Sequence, residues 1–185
     1  MKTTLLFILA TLILFSCSGG LTIYKVKTKV DEFDGYTHHW MVGNELESST
    51  MSFLSDVYGS GSKSVELNAG VIETNNGIKS YSLSVEYEDS HWMFISSGES
   101  LVMLIDGERL GLYTNDENIS RDTFIFKKVT VWEHATYTID KETLRKIAFA
   151  KNIKIKVRGE RQNYEKELLD ENIRNFKRFY EEYVQ

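Results

Sequence analysis

The 185-residue sequence lacks the residue patterns by which an active site is usually recognised. It contains no Gly-x-Ser-x-Gly elbow, no glycine-rich phosphate loop and no His-Glu-x-x-His motif. Cysteine occurs once, at position 17, which excludes an internal disulfide and a paired-cysteine metal motif. Proline is absent, where average usage is about 5%, but this excludes no fold class. No enzyme class is therefore indicated by a motif.

A surplus of positive charge is missing as well. The formal net charge is −5, which is unfavourable for a protein that binds nucleic acid. Apolar residues make up 42% of the chain and aromatic residues 12%, enough to build a hydrophobic core. The composition therefore indicates a folded domain rather than a disordered chain, and it gives no reason to expect a cofactor.

The only long apolar run lies at the N-terminus. Lys2 precedes an apolar segment, residues 5–15, that only Thr11 interrupts. A membrane-spanning helix needs about 20 apolar residues, and Ser16 ends this run too early. A basic start followed by a short apolar segment predicts a signal peptide.

The end of this run, Leu14-Phe15-Ser16-Cys17, resembles the lipobox of bacterial lipoproteins. The resemblance implies cleavage before Cys17, a diacylglycerol thioether on its sulfur and an acyl chain on its nitrogen. One acyl chain holds a protein to a membrane only marginally, whereas three hold it permanently. The resemblance thus implies a bacterial envelope protein anchored to a membrane, the outer membrane facing the periplasm or the cell surface. We expect a signal peptide over residues 1–16, a lipidated tether over 17–21 and a single domain over 22–185.

The middle of the chain predicts antiparallel strands. In KSYSLSVEYE, Tyr81, Leu83, Val85 and Tyr87 alternate with serine and glutamate, as on a strand with one wet face. Asn75-Asn76-Gly77 is a strong hairpin signal. Further strands are predicted at HWMFIS, LVMLI and RLGLYT, followed by a loop over residues 115–122. FIFKKVTVWEHATYT is predicted to be a long strand or a strand with a bulge. Consecutive antiparallel strands form a meander.

The last third of the chain changes period. Asp140 is a good N-cap for the helix KETLRKIAFAK, and NIKIKVRG reads as a half-buried strand. We expect Asp170 to cap a final helix whose apolar face holds Ile173, Phe176, Phe179, Tyr180 and Tyr183. The strand–helix–strand stretch over residues 137–159 is similar to segments of uncharacterised bacterial exported proteins. The predicted class is α+β: an antiparallel β meander, forming a strongly curved sheet, with two C-terminal helices packed on it.

Histidine and tryptophan are the residues most suggestive of a site. His38 and His39 could bind a metal only with further ligands, because neighbours on a strand point to opposite faces; Asp31, Glu32, Asp34 and His91 qualify by residue type alone. We predict no metal site, and we interpret His134 as a hydrogen-bonded strand residue. Trp40, Trp92 and Trp132 could line a sugar-binding face, although core positions are the more common role.

Charge is distributed unevenly along the chain. Residues 31–122 hold seventeen acidic and four basic side chains, a net of −13, whereas residues 123–185 have a net of +4. If Ile153, Ile155 and Val157 face the core, then Lys154, Lys156 and Arg158 share the wet face. This basic stripe either discourages edge-to-edge strand pairing or contacts an anionic partner, such as a lipid headgroup, an acidic envelope glycan or an acidic protein surface.

Taken together, the patterns favour a non-catalytic protein. We expect a membrane-anchored envelope lipoprotein that serves as a binding or assembly module. The alternative is a small envelope hydrolase or an enzyme inhibitor whose site is spread over loops, where motifs do not reveal it.

Overall fold

The computed structural model describes residues 24–46, 63–125 and 129–185, so Cys17, the predicted signal peptide and the predicted tether lie outside it. Most of the described chain is β-strand. Within these residues the strands are β1 Lys25–Asp31, β2 Tyr36–Val42, β3 Ser64–Thr74, β4 Lys79–Asp89, β5 Gly98–Ile105, β6 Glu108–Thr114, β7 Ile119–Ile125, β8 Val129–Ile139, β9 Ile153–Arg158 and β10 Asn163–Glu167. The helices are α1 Lys141–Ala148 and α2 Asp170–Tyr183.

The predicted α+β class, with a strongly curled antiparallel sheet and two C-terminal helices, is confirmed. In the described residues the strands divide between a six-stranded sheet, β1-β2-β3-β4-β8-β7, and a four-stranded sheet, β10-β9-β5-β6. β5 and β6 leave the meander because β5 pairs with β9, which puts Leu101, Met103 and Val157 on the core side. The hydroxyl of Thr114 joins the two sheets by donating to the carbonyl of Thr136 at 2.8 Å.

Alternation predicts β4 well, whereas residues 124–138, predicted as one strand, divide between β7 and β8, which pair antiparallel with Phe124 opposite Thr130. The residues Tyr81, Leu83, Val85 and Tyr87 of β4 contact the core or lie fully within it, while the serines between them lie on the other face. Gly77 has φ of 77°, as the predicted Asn-Gly turn requires. The predicted loop over residues 115–122 is shorter than expected, since β7 already begins at Ile119.

The prediction of a strand at HWMFIS is wrong. Only Ile95 forms an isolated bridge there, to Gly159. The fully buried carboxylate of Glu133 accepts hydrogen bonds from the backbone N–H groups of Met93, Phe94 and Ile95 at 2.7–2.9 Å. Because a side chain takes the amides that a neighbouring strand would use, this segment wraps around Glu133 instead of joining a sheet.

Both predicted helices form, and α2 belongs to the core. Asp140 caps α1 as expected, accepting from the amide of Thr143. Asp170, however, is the first residue of α2 and not its N-cap. The N-cap is Leu169, whose backbone amide donates to Asn172 Oδ1 at 3.0 Å. The expected apolar face is buried at Ile173, Phe176, Phe179 and Tyr180. No described helix is both long and apolar enough to cross a membrane.

A cluster of buried amides holds α2 against the six-stranded sheet. Asn44 Nδ2 donates to the carbonyl of Leu67 at 2.8 Å, and its Oδ1 accepts from both Asn172 and Asn175 at 3.0 Å. Buried polar groups are tolerated only when they are paired in this way. The position of α2 on the core side leaves the opposite face of the six-stranded sheet uncovered by either helix.

Candidate functional site

The second face of the six-stranded sheet carries polar side chains in register across its strands. Alternation turns the serines of β4 toward this face, because the residues between them turn to the core. Pairing brings Ser82 beside Gly70 of β3 and Thr138 of β8, and Ser84 beside Asn68 and Thr136. We call this surface the polar face.

The polar face is concave at its centre. The concavity has a volume of about 410 Å³, within the range of about 300–1,000 Å³ that is typical of small-molecule sites. We call it the serine trough. Its lining residues on the polar face are His38, Trp40, Gly70, Ile72, Ser80, Ser82, Ser84, Glu86, His134, Thr136 and Thr138.

Hydroxyl groups make up the floor of the serine trough. The side-chain hydroxyls of Ser80, Ser82, Ser84 and Thr138 form no hydrogen bond with any other described residue. Gly70 contributes no side chain, and a Cβ there would lie only 2.9 Å from Ser82 Oγ. The floor therefore presents groups that can both donate and accept hydrogen bonds, with nothing bulky between them.

Two pairs of stacked rings stand on either side of this floor. The imidazole of His38 stacks on the indole of Trp40 on β2, with ring centroids 4.7 Å apart. On β8, Trp132 and His134 stack at 5.6 Å with an angle of 17° between their planes. β3 and β4 separate β2 from β8, a spacing of about 14 Å across the sheet. The two pairs also lie at different levels along the strands, because the register of Trp40 leads through Gly70 and Ser82 to Thr138, four residues from His134.

Partial burial changes the acid–base behaviour of the trough. Burial lowers the pKa of His134, and burial together with the nearby His39 and Lys29 lowers that of His38, so the neutral form of both rings is favoured. Burial and the neighbouring Glu66 raise the pKa of Glu86, although a hydrogen bond from Trp132 opposes this shift. No lysine or arginine lines the trough. The trough therefore offers neutral donors and acceptors and one carboxyl group.

Glu86, His134 and Thr136 lie in the order carboxylate, imidazole, hydroxyl that is found in catalytic triads. His134 Nε2 is 2.9 Å from Thr136 Oγ1, and His134 Nδ1 is 4.0 Å from Glu86 Oε1. The first distance confirms His134 as a hydrogen-bonded strand residue. The second is too long for a hydrogen bond, so the carboxylate does not orient the imidazole as an activated nucleophile requires.

The two adjacent histidines do not form a metal centre. His38 stacks on Trp40 on the polar face, whereas His39 lies on the opposite face, where its ring contacts Tyr183. Residues 24–46, 63–125 and 129–185 contain no group of three His, Cys, Asp or Glu side chains placed to hold a metal ion.

The basic stripe predicted on β9 forms as expected, with its side chains on the outer face of the four-stranded sheet. Each cation there has a carboxylate beside it. Lys154 lies 3.5 Å from Glu167, Lys156 lies 2.7 Å from Glu165, and Arg158 lies 2.7 Å from Glu99, which also pairs with Arg109. The concavity of about 430 Å³ on this face is lined by several of these pairs. Its charges are therefore largely compensated from within the sheet.

A second basic row was missed by sequence reasoning. Lys25, Lys27 and Lys29 alternate along the edge strand β1, with Lys27 beside Trp40 and Lys29 beside His38. All three are exposed, and among described residues only Lys29 has an ion pair, with Asp31 at 3.3 Å. The signal is the pattern Lys-x-Lys-x-Lys in KVKTKVD. We call these side chains the β1 lysine row.

The tryptophans divide between two environments. Trp92 packs against the core near Phe94, with ring centroids 5.5 Å apart, as expected for the common role. Trp40 and Trp132 instead lie half-buried on the polar face, beside the serine trough. The chain matches no protein-family model, no curated protein and no solved structure.

Proposed function

We propose that this protein is a lipid-anchored component of a bacterial envelope and that it acts as a non-catalytic binding module. The anchor is supported by the sequence up to Cys17, with its basic start, its apolar run and its lipobox-like end. Tyr24, the first described residue, follows Cys17 by seven positions. An extended chain of that length spans at most about 25 Å, so β1 lies close to the membrane surface.

The binding role is carried by the serine trough. Free hydroxyls, aromatic rings and a half-buried carboxyl group meet in one concavity, and convergent polar groups of this kind fix the orientation of a bound ligand. The alternative is a small envelope hydrolase or an enzyme inhibitor. The order Glu86, His134, Thr136 is the observation that favours a hydrolase, and the 4.0 Å gap in it is why we prefer binding.

The anionic partner of this module is the lipid surface, contacted through the β1 lysine row. A basic segment next to a membrane gains about 1 kcal/mol per lysine from anionic headgroups. Lys25 and Lys27 have no carboxylate within ion-pair distance among described residues, and they follow the proposed anchor closely. The same role for Lys154, Lys156 and Arg158 has less support, because each is already paired.

Lipidation is tested by metabolic labelling with a fatty acid. We expect the wild-type chain to incorporate label and a Cys17→Ala variant to incorporate none. Mass spectrometry of the mature protein should place its N-terminus at Cys17. A labelled alanine variant, or a mature N-terminus elsewhere, would contradict the proposal.

A further inference from the structure

The serine trough contains groups that recognise a particular class of ligand. Ser80, Ser82 and Ser84 lie two residues apart on β4, so their hydroxyls repeat about every 6.8 Å. Thr138 of β8 adds a fourth free hydroxyl beside Ser82. A row of hydroxyls that donate and accept equally well suits a ligand that is itself rich in hydroxyl groups.

The rings at the sides supply a second kind of contact. Indole and imidazole faces pack well against flat, weakly polar C–H surfaces. Stacking of His38 on Trp40, and of Trp132 on His134, fixes these rings before any ligand arrives. Pre-arranged rings lose little conformational entropy on binding. A sugar ring combines the two required surfaces, with C–H groups on its faces and hydroxyls around its rim.

The electrostatics of the trough select against charged ligands. An anion would need a cation, and the lining contains no lysine or arginine. The cations beside Trp40 and His38 are Lys27 and Lys29, which belong to the β1 lysine row that we assign to lipid headgroups. Burial lowers the pKa of both imidazoles, which favours their neutral form over the cation. Glu86 is a hydrogen-bond partner at one end, of the kind that accepts from a sugar hydroxyl.

Position in the fold keeps the trough accessible. It is centred on β3 and β4, two to three strands away from β1, which corresponds to about 10–14 Å. Contact between the β1 lysine row and lipid headgroups therefore leaves the serine floor free, while the His38–Trp40 stack on β2 lies directly beside that row. Neither α1 nor α2 covers it, because both pack on the core side.

From these contacts we propose that the serine trough binds a neutral saccharide, with the hydroxyls of Ser82 and Ser84 hydrogen-bonded to sugar hydroxyls and a sugar ring packed against the His38–Trp40 stack. This inference rests on the proposed function, since it names the ligand class of the same binding module.

The experiment uses the full-length lipidated protein in detergent, with tetra-N-acetylchitotetraose and maltotetraose as neutral probes and tetragalacturonate as the acidic counterpart. Calorimetry measures affinity, and tryptophan fluorescence reports contact because Trp40 and Trp132 flank the trough. We expect a neutral probe to bind and the acidic probe to bind at least tenfold more weakly. A Ser82→Ala, Ser84→Ala variant should bind about tenfold more weakly, equivalent to about 1.4 kcal/mol, as loss of two hydrogen bonds predicts.

The matched control is a Ser64→Ala, Ser120→Ala variant, because both residues lie on the polar face but outside the trough. It should bind as the wild type does. A second variant, Ser84→Phe, fills the trough and should abolish binding without removing any core contact.

Absence of binding by both neutral probes, stronger binding of tetragalacturonate, or equal affinity of the Ser82→Ala, Ser84→Ala variant would each overturn the saccharide assignment. Fatty-acid labelling of the same preparation separates this result from the anchor. Lipidated protein that binds no saccharide would support the anchor and contradict the saccharide assignment. Unlipidated protein that binds a saccharide would support the trough as a binding site and contradict the anchor. Cleavage of the bound probe would identify a hydrolase and overturn the non-catalytic binding role.

Discussion

The outer faces of the two sheets differ in how their polar groups are satisfied. On the four-stranded sheet, β9 and β10 place cations beside carboxylates, so that Lys154, Lys156 and Arg158 each have a partner within 4 Å. On the six-stranded sheet, four hydroxyls of the trough (Ser80, Ser82, Ser84 and Thr138) and two of the β1 lysines have no such partner among the described residues. The charged groups on the outer face of the four-stranded sheet are paired with one another, whereas the polar face of the six-stranded sheet has hydroxyls and lysines available for a ligand or partner. This difference is our reason for placing function on the six-stranded sheet.

The two sheets share one hydrophobic core, and a substitution in this core should have the largest effect on stability. Phe176 of α2 is fully buried in the cluster that both sheets contact. Phe176→Ala should lower the free energy of unfolding by about 3–5 kcal/mol through the cavity it leaves. Phe149→Ala is the control, because that ring is 48% exposed and should matter much less. Equal melting temperatures for wild type and Phe176→Ala would show that α2 is not part of the shared core.

Sequence patterns were sufficient for whatever depends on local alternation. The strands β4 and β9, both helices and the buried face of α2 follow from spacing, because the core takes every second residue of a strand and one side of a helix. The failure at residues 91–96 has a long-range cause. Glu133 lies about 40 positions away and takes the amides of Met93, Phe94 and Ile95, which no local pattern reveals.

The candidate site was harder to predict than the fold. The serines of β4 read only as the wet side of a strand, and the tryptophans as core residues. Their meeting depends on the register of β2, β3, β4 and β8, which brings residues from positions 38 to 138 together. Charge was visible in sequence, but its pairing was not. The stripe on β9 and the row on β1 have the same alternating pattern, and only strand pairing distinguishes them.

The contrast between the two basic rows is sharpened by a binding experiment with vesicles. An unlipidated chain beginning at Ser18 should bind vesicles that contain anionic lipid and ignore zwitterionic ones. Replacing the three lysines of the β1 row by glutamine should weaken this binding about a hundredfold, at about 1 kcal/mol per lysine. The matched variant Lys154→Gln, Lys156→Gln, Arg158→Gln removes the same charge and should change the affinity little.

Salt provides the internal check on this interpretation. Raising ionic strength from 0.1 to 1 M shortens the Debye length from about 10 Å to about 3 Å and should abolish the difference between wild type and the β1 variant. If the two triple variants lost vesicle affinity equally, the β1 lysine row and the basic stripe on β9 would not differ in membrane binding. The stripe on β9 would then again be a candidate for contact with anionic lipid.

The smallest expected effect concerns pH, and it also distinguishes the faces, because His38 and His134 both lie on the six-stranded sheet. Burial holds the pKa of each below the ordinary value of about 6.5. As pH falls through 6.5, the unfolded chain takes up protons that the folded chain resists, so stability is lost. Protonation of Glu86, whose pKa is raised mainly by burial, acts in the opposite direction and partly offsets this loss. In urea unfolding at pH 7, 6 and 5, a His38→Gln, His134→Gln variant should therefore lose less stability than the wild type over this range.

Exposed His91 gives the control variant His91→Gln, which should follow the wild type. An unchanged pH dependence in the double variant would mean that the two imidazoles are as accessible to water as those of the unfolded chain, and the serine trough would then be an open surface instead of a half-buried site.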